Sequence, residues 1–231
     1  MSTSDKFSDA AVTHKVIRGL TALTLSIALM ISMFPPFELI DYLYWVLTTS
    51  FNVAPEVFIM FSDLLLLLAG VLVAYALQEL LSVEVISAFG SLNNRLNKGG
   101  IPSLTAAALI IIYWHVPTVL DSALLNFGLH VIMHMSLLFA GILIFIGADF
   151  LSGRTRKMAT ILACKAMGIF GVFLLVTSGA GYNRFYSIYP IPQQAQFGLS
   201  MMIMMFVFEG FLVPYWLFKY FTSPVPRRVP P

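Results

Sequence analysis

The feature that most constrains this chain is a series of long apolar runs with almost no charge in them. A helix that crosses a bilayer needs about 20 mostly apolar residues. Six runs approach or meet that length, at about 16–34, 55–81, 102–115, 125–151, 158–177 and 198–221. Inside lipid each backbone polar group must be satisfied within its own segment, so such runs fold as helices. The expected fold class is therefore all-α, a polytopic membrane helical bundle of about six transmembrane helices. Composition closes the main alternatives. Hydrophobic residues are 59% and charged residues 10% of the chain, against roughly 45–50% and 25% in a soluble domain. That excludes a soluble enzyme, and it excludes disorder, which needs low hydrophobicity and high charge. A net charge of +2, with no basic stretch interleaved with aromatics, gives no nucleic-acid partner. The single cysteine, Cys164, leaves no disulfide framework and no paired-cysteine metal motif.

Orientation is read from Lys and Arg in the short connections. With six crossings, eleven of the thirteen basic residues fall on one side, Arg184 falls alone on the other, and Lys165 lies inside a helix. Both termini are therefore expected on the cytoplasmic side of a prokaryotic plasma membrane, with residues 37–55, 116–124 and 179–197 outside. The expected organisation is a cytoplasmic segment 1–15, a bundle 16–222 with an interfacial stretch 37–54, and a proline-rich cytoplasmic tail 223–231. The first run is longer than a secretory signal core and lacks a small-residue cleavage site, so it is expected to remain as a span.

Ionisable groups inside such spans are costly and mark functional sites or paired charges. Using a rise of ~1.5 Å per residue, His130 lies about 7 Å and His134 about 13 Å below the outer boundary. Asp63 is about 12 Å deep by the same arithmetic. His115 ends the third run, and Asp121 follows it in the connection. Two histidines at i and i+4 share a helix face, and imidazole suits copper, zinc and iron. His115, His130, His134, Asp121 and Asp63 are thus candidate metal ligands, with Met133 and Met201 as possible soft ligands for copper. The alternative is a hydrogen-bonded polar cluster between helices, and for methionine simple packing. Haem b ligated by His115 and a histidine of the fourth run stays open. Deeper in the other half, Lys165 and Glu209 fall at similar depth and are expected to form a buried ion pair. No nucleophile with its base and no phosphate loop is present, so the chain is not expected to be a catalyst by itself.

One stretch carries a family resemblance. Tyr113-Trp114-His115-Val116-Pro117, Asp121-Ser122-Ala123-Leu124 and His130-Val131-Ile132-Met133-His134 lead into Ser136-Leu137-Leu138-Phe139-Ala140-Gly141. This resembles the signature of the multi-span cytochrome c oxidase assembly factors, the CtaG-like family, and a short archaeal family of membrane proteins has a similar core. Gln194, Gly198, Leu199 and Met201 match a later element of that signature, while Gln193 and Met202 stand where the family has Asp and Trp. The resemblance implies a protein that supports a copper-containing respiratory oxidase, by assembly or by handling copper at the outer histidines. Two alternatives remain at this point: a permanent accessory subunit of a membrane metalloenzyme complex, a copper oxidase or a monooxygenase, and a haem-binding electron carrier. The partners implied are subunits of that complex and the lipid bilayer.

Overall fold

Prolines, glycines and short polar side chains set the ends of the helices. The computed structural model describes residues 3–33, 55–82, 95, 97–180, 185–187 and 190–222. Among these there are seven α-helices and no strand: α1 (Thr3–Met33), α2 (Pro55–Leu80), α3 (Ile101–Trp114), α4 (Pro117–Leu125), α5 (Phe127–Asp149), α6 (Gly153–Gly179) and α7 (Ile191–Thr222). A short 3-10 turn, Lys98–Gly100, leads into α3. Asn126 and Ser152 cap α5 and α6, their side-chain oxygens accepting from the N–H groups of Leu129 and Thr155.

Among the described residues, five helices are long and apolar enough to cross a membrane: Val12–Ile31, Ser62–Leu80, Phe127–Asp149, Gly153–Gly179 and Ile191–Trp216. The third run behaves differently from the sequence expectation. Residues 116–124 were expected as a connection, but Pro117–Leu125 is helical and bends by 70° from Ile101–Trp114. Pro117 stops α3 because it lacks an N–H and forces Val116 into an extended conformation, and it then occupies the first turn of α4, where no N–H is needed. At the other end of the chain, α1 starts at Thr3, so the polar residues before Val16 extend the same helix. The interfacial stretch 37–54, Arg184 and the tail 223–231 lie outside the described residues.

The packing order follows from the helix contacts. In space α1 lies against α2, α2 against α5, and α5 against α3, while α6 packs chiefly against α7, which reaches α2. The Ser26 hydroxyl donates to the Ala69 carbonyl (2.9 Å), and Arg18 meets Glu79 (3.3 Å), so α1 runs antiparallel to α2. The α2–α5 crossing is a backbone contact. A Cβ placed on Gly70 would run into the Leu138 carbonyl oxygen, and one on Gly141 into that of Leu67. Membrane helices associate through such small residues because lipid supplies no hydrophobic drive between them. The apolar core gathers at the end of the bundle where α3 stops. Leu66, Trp114, Leu120, Met133, Leu137, Leu174, Tyr186, Phe197 and Met201 form one buried cluster there.

Candidate functional site

The break after α3 is what builds the polar site. His115 is the residue that closes α3, its N–H still bonded back to Ile111 and Ile112. Its Nδ1 lies 2.7 Å from the Ile111 carbonyl oxygen. A carbonyl can only accept, so Nδ1 carries the proton, and Nε2 is the nitrogen left to face outward from that turn. It faces Asp63 on α2, with 3.9 Å between Nε2 and Oδ2. Asp63 is buried, and its Oδ1 makes no hydrogen bond.

Around this pair runs a network the sequence did not announce. Gln194, in the first turn of α7, accepts from the N–H groups of Phe185 (2.9 Å) and Tyr186 (3.2 Å) through Oε1. Its Nε2 donates to the Tyr186 carbonyl (3.1 Å). One side-chain amide thus pairs with the connecting backbone in both directions. Tyr186 is thereby held so that its hydroxyl donates to the His115 carbonyl (3.1 Å). Ser187 next to it donates through both N–H (2.9 Å) and hydroxyl (2.6 Å) to Asp121 Oδ2 on α4. The Tyr186 phenol is pushed above its ordinary range, first by burial and then by the Asp121 and Asp63 carboxylates. It therefore serves as a proton donor over the whole physiological range. Below it, the Trp114 indole N–H donates to the Ser136 hydroxyl, which donates to the Met133 carbonyl (2.8 Å). The tryptophan and serine of the motif region thus tie α3 to α5.

The five expected ligands do not meet at one point. His115 is with Asp63, and Asp121 is taken by Ser187. His130 and His134 lie together on α5 with ring centroids 4.3 Å apart and planes tilted by 58°. Among the described residues no three His, Cys, Asp or Glu side chains are grouped closely enough to hold a metal ion. Met133 and Met201, the possible soft ligands, are packed in the apolar core. These side chains come together in pairs, His115 with Asp63 at 3.9 Å and His130 with His134.

Residues that sequence reasoning missed as site members are Tyr186, Ser187 and Gln194. Their signal was slight: isolated polar residues in a connection between apolar runs, with Gln194 noticed for resemblance alone. In the other half, Lys165 Nζ lies 2.7 Å from Glu209 Oε2 between α6 and α7. The sequence had placed this pair in the interior. Instead the Lys165 side chain is 50% exposed and the Glu209 side chain 20%.

Comparison with known proteins gives a family match. The sequence profile of a family described as protein of unknown function (DUF1404) covers residues 24–223. No curated protein matches the chain, and no solved structure does.

Proposed function

The chain belongs to the DUF1404 family, and from the polar site at the break after α3 we propose that it handles copper in transit for a membrane oxidase, as an assembly or accessory protein. The observation that carries the reading is the pair of imidazoles on α5, 4.3 Å apart, at the same end of the bundle as the His115–Asp63 pair. Copper(I) accepts two ligands, so two imidazoles suffice to carry it as cargo. A closed structural zinc site takes four ligands, and this donor set does not fit one. Two stations of two ligands each suit passing an ion on rather than storing it. Tyr186 and Gln194 hold the His115 turn in place, and Asp63 faces its unprotonated Nε2 across 3.9 Å as the second ligand of that station.

The topology in this reading has six crossings, the bent α3–α4 pair counting as one, with both termini cytoplasmic and the histidines on the outer side. It is supported by the distribution of Lys and Arg and by the alternating directions of α1, α2, α3, α5, α6 and α7. The resemblance of residues 113–141 to the oxidase assembly factors supports the choice of copper.

The test is copper(I) retention by purified protein after loading and desalting under reducing conditions. Wild type should hold about one equivalent, and His130→Gln with His134→Gln should hold less than a tenth of that while unfolding at an unchanged temperature. A wild type that retains no copper, or a double variant that retains it in full, ends the copper reading. Co-purification then separates its two forms: an accessory subunit stays with the oxidase at fixed stoichiometry, and an assembly protein leaves.

A further inference from the structure

Helix α6 stands at the edge of the bundle. It packs chiefly against α7, and a flank beside that contact is open along Met158, Leu162, Lys165, Ile169, Val172 and Val176. These positions follow one another at spacings of four, three, four, three and four, the repeat by which two helices mesh at a shallow angle. Five of the six are apolar, as a lipid-facing stripe would be. The third is a lysine with half of its side chain uncovered.

Lipid does not explain that lysine. Lys165 is twelve residues from the start of α6 and fourteen from its end, about 18 Å and 21 Å at ~1.5 Å per residue. A lysine near a helix end can extend its ammonium to the headgroups, but this one is mid-helix and bonded to Glu209 at 2.7 Å. One carboxylate oxygen is used in that bond, and the other is enclosed without a hydrogen bond. Among the described residues, the remaining N–H donors of Lys165 have no acceptor beyond Glu209. A surface carrying such a group in hydrocarbon is completed by protein that brings an acceptor to the same depth.

We propose that the occupant is a second copy of this chain, packed α6 against α6 about a two-fold axis along the membrane normal. A copy inserted in the same orientation carries its own Glu209 at the matching depth without further requirement. Each Lys165 then lies between Oε2 of its own Glu209 and Oε2 of the partner copy's, the oxygen that is not enclosed, so that two ammonium and two carboxylate groups alternate and sum to zero. The four-three spacing supplies the apolar contacts above and below, and the lysine fixes the register, as a polar residue in a helical seam does. A different membrane protein would have to supply a carboxylate at that depth from its own sequence.

The experiment uses the full chain reconstituted at low density in phosphatidylethanolamine–phosphatidylglycerol vesicles, with subunits counted by stepwise photobleaching of a fluorophore fused to the chain. Two copies per spot are expected. In a Cys164→Ala background, Ile169→Cys should form an oxidised dimer at least tenfold faster than Ile112→Cys, an exposed position on α3. Lys165→Glu alone should weaken the dimer at least tenfold, and adding Glu209→Lys should restore it to within threefold. Single copies at every density overturn the proposal, as does equal crosslinking at Ile112, or crosslinking of Ile169→Cys only to other proteins. If the charge-reversed variants fail to insert, the counting and the neutral cysteine variants decide the matter.

Discussion

At the His115 end, polar groups from α3, α4, α7 and the 185–187 connection satisfy one another largely through backbone hydrogen bonds, inside a layer of packed apolar side chains. In the other half, Lys165 and Glu209 meet alone on the flank of two helices. The two regions deal differently with polar atoms in an apolar setting. The first encloses uncharged donors and acceptors together with the buried Asp63 and Asp121, and its geometry is fixed by many partners. The second places full charges together and leaves one of them half uncovered. A network of the first kind is rigid and loses much when one member goes. A pair of the second kind contributes little to the fold of a single chain and gains its meaning from what lies against it.

The contrast can be broken in three places. The largest effect is expected at Gln194, because Gln194→Leu leaves two N–H groups and a carbonyl of the connection without their partner. At ~1–3 kcal/mol for each unsatisfied buried group, moderated by relaxation, the loss should be about 3 kcal/mol, read as a lowered unfolding temperature in detergent. A loss below about 1 kcal/mol would mean that the connection does not depend on α7 for its conformation. Next comes the ion pair. Removing one partner of a fully buried pair costs about 3–5 kcal/mol, but exposure reduces this. Lys165→Met in monodisperse detergent is expected to cost about 2 kcal/mol, and Lys165→Met with Glu209→Gln less than Lys165→Met alone. Additive effects in that double-variant cycle would show that the two charges do not act on each other.

The smallest effect is at Tyr186. Tyr186→Phe removes one hydrogen bond and should cost about 1 kcal/mol near neutral pH. Its pH dependence sharpens the comparison. The folded phenol titrates above its unfolded value of 10, so beyond pH 10 the unfolded chain has lost a proton that the folded chain keeps. Stability is therefore complete below that pH and falls as pH rises past it. Tyr186→Phe should flatten that alkaline decline, while Lys165→Met should leave the Tyr186 part of it in place. An unchanged decline in Tyr186→Phe would place the phenol outside the network.

Helices and depth were legible in the sequence where the chain is straight. Lys165 and Glu209 lie on the two arms of one hairpin, so counting residues along each arm was enough to put them side by side. What depth along two helices does not contain is rotation about their axes, and rotation decides whether a pair faces the core or the flank. The break at Pro117 defeated the reading of its neighbourhood for another reason. A proline ends one helix and begins the next equally well, and a nine-residue helix that includes Thr118, Asp121 and Ser122 carries no length signal. The five candidate ligands were placed by depth, but lateral position comes from competing bonds. The Ile111 carbonyl claims one nitrogen of His115, and Ser187 claims Asp121. Gln194 and Tyr186 were the least legible, since each finds its role through backbone atoms, which a sequence does not distinguish by residue type.

The glycine crossing of α2 and α5 has a mechanical consequence. Asp63 precedes Gly70 by seven residues, and His134 precedes Gly141 by seven, on two helices that run in the same direction from the His115 end. With backbone against backbone at the crossing, the separation of the helices is fixed there while their angle can still vary. The crossing is thus a fulcrum with two equal arms of about 10.5 Å, at ~1.5 Å per residue. A rocking of about 5° displaces the tip of such an arm by about 1 Å. Small angular changes at a contact that cannot be compressed are thereby converted into distance changes between the Asp63–His115 pair and the imidazoles of α5.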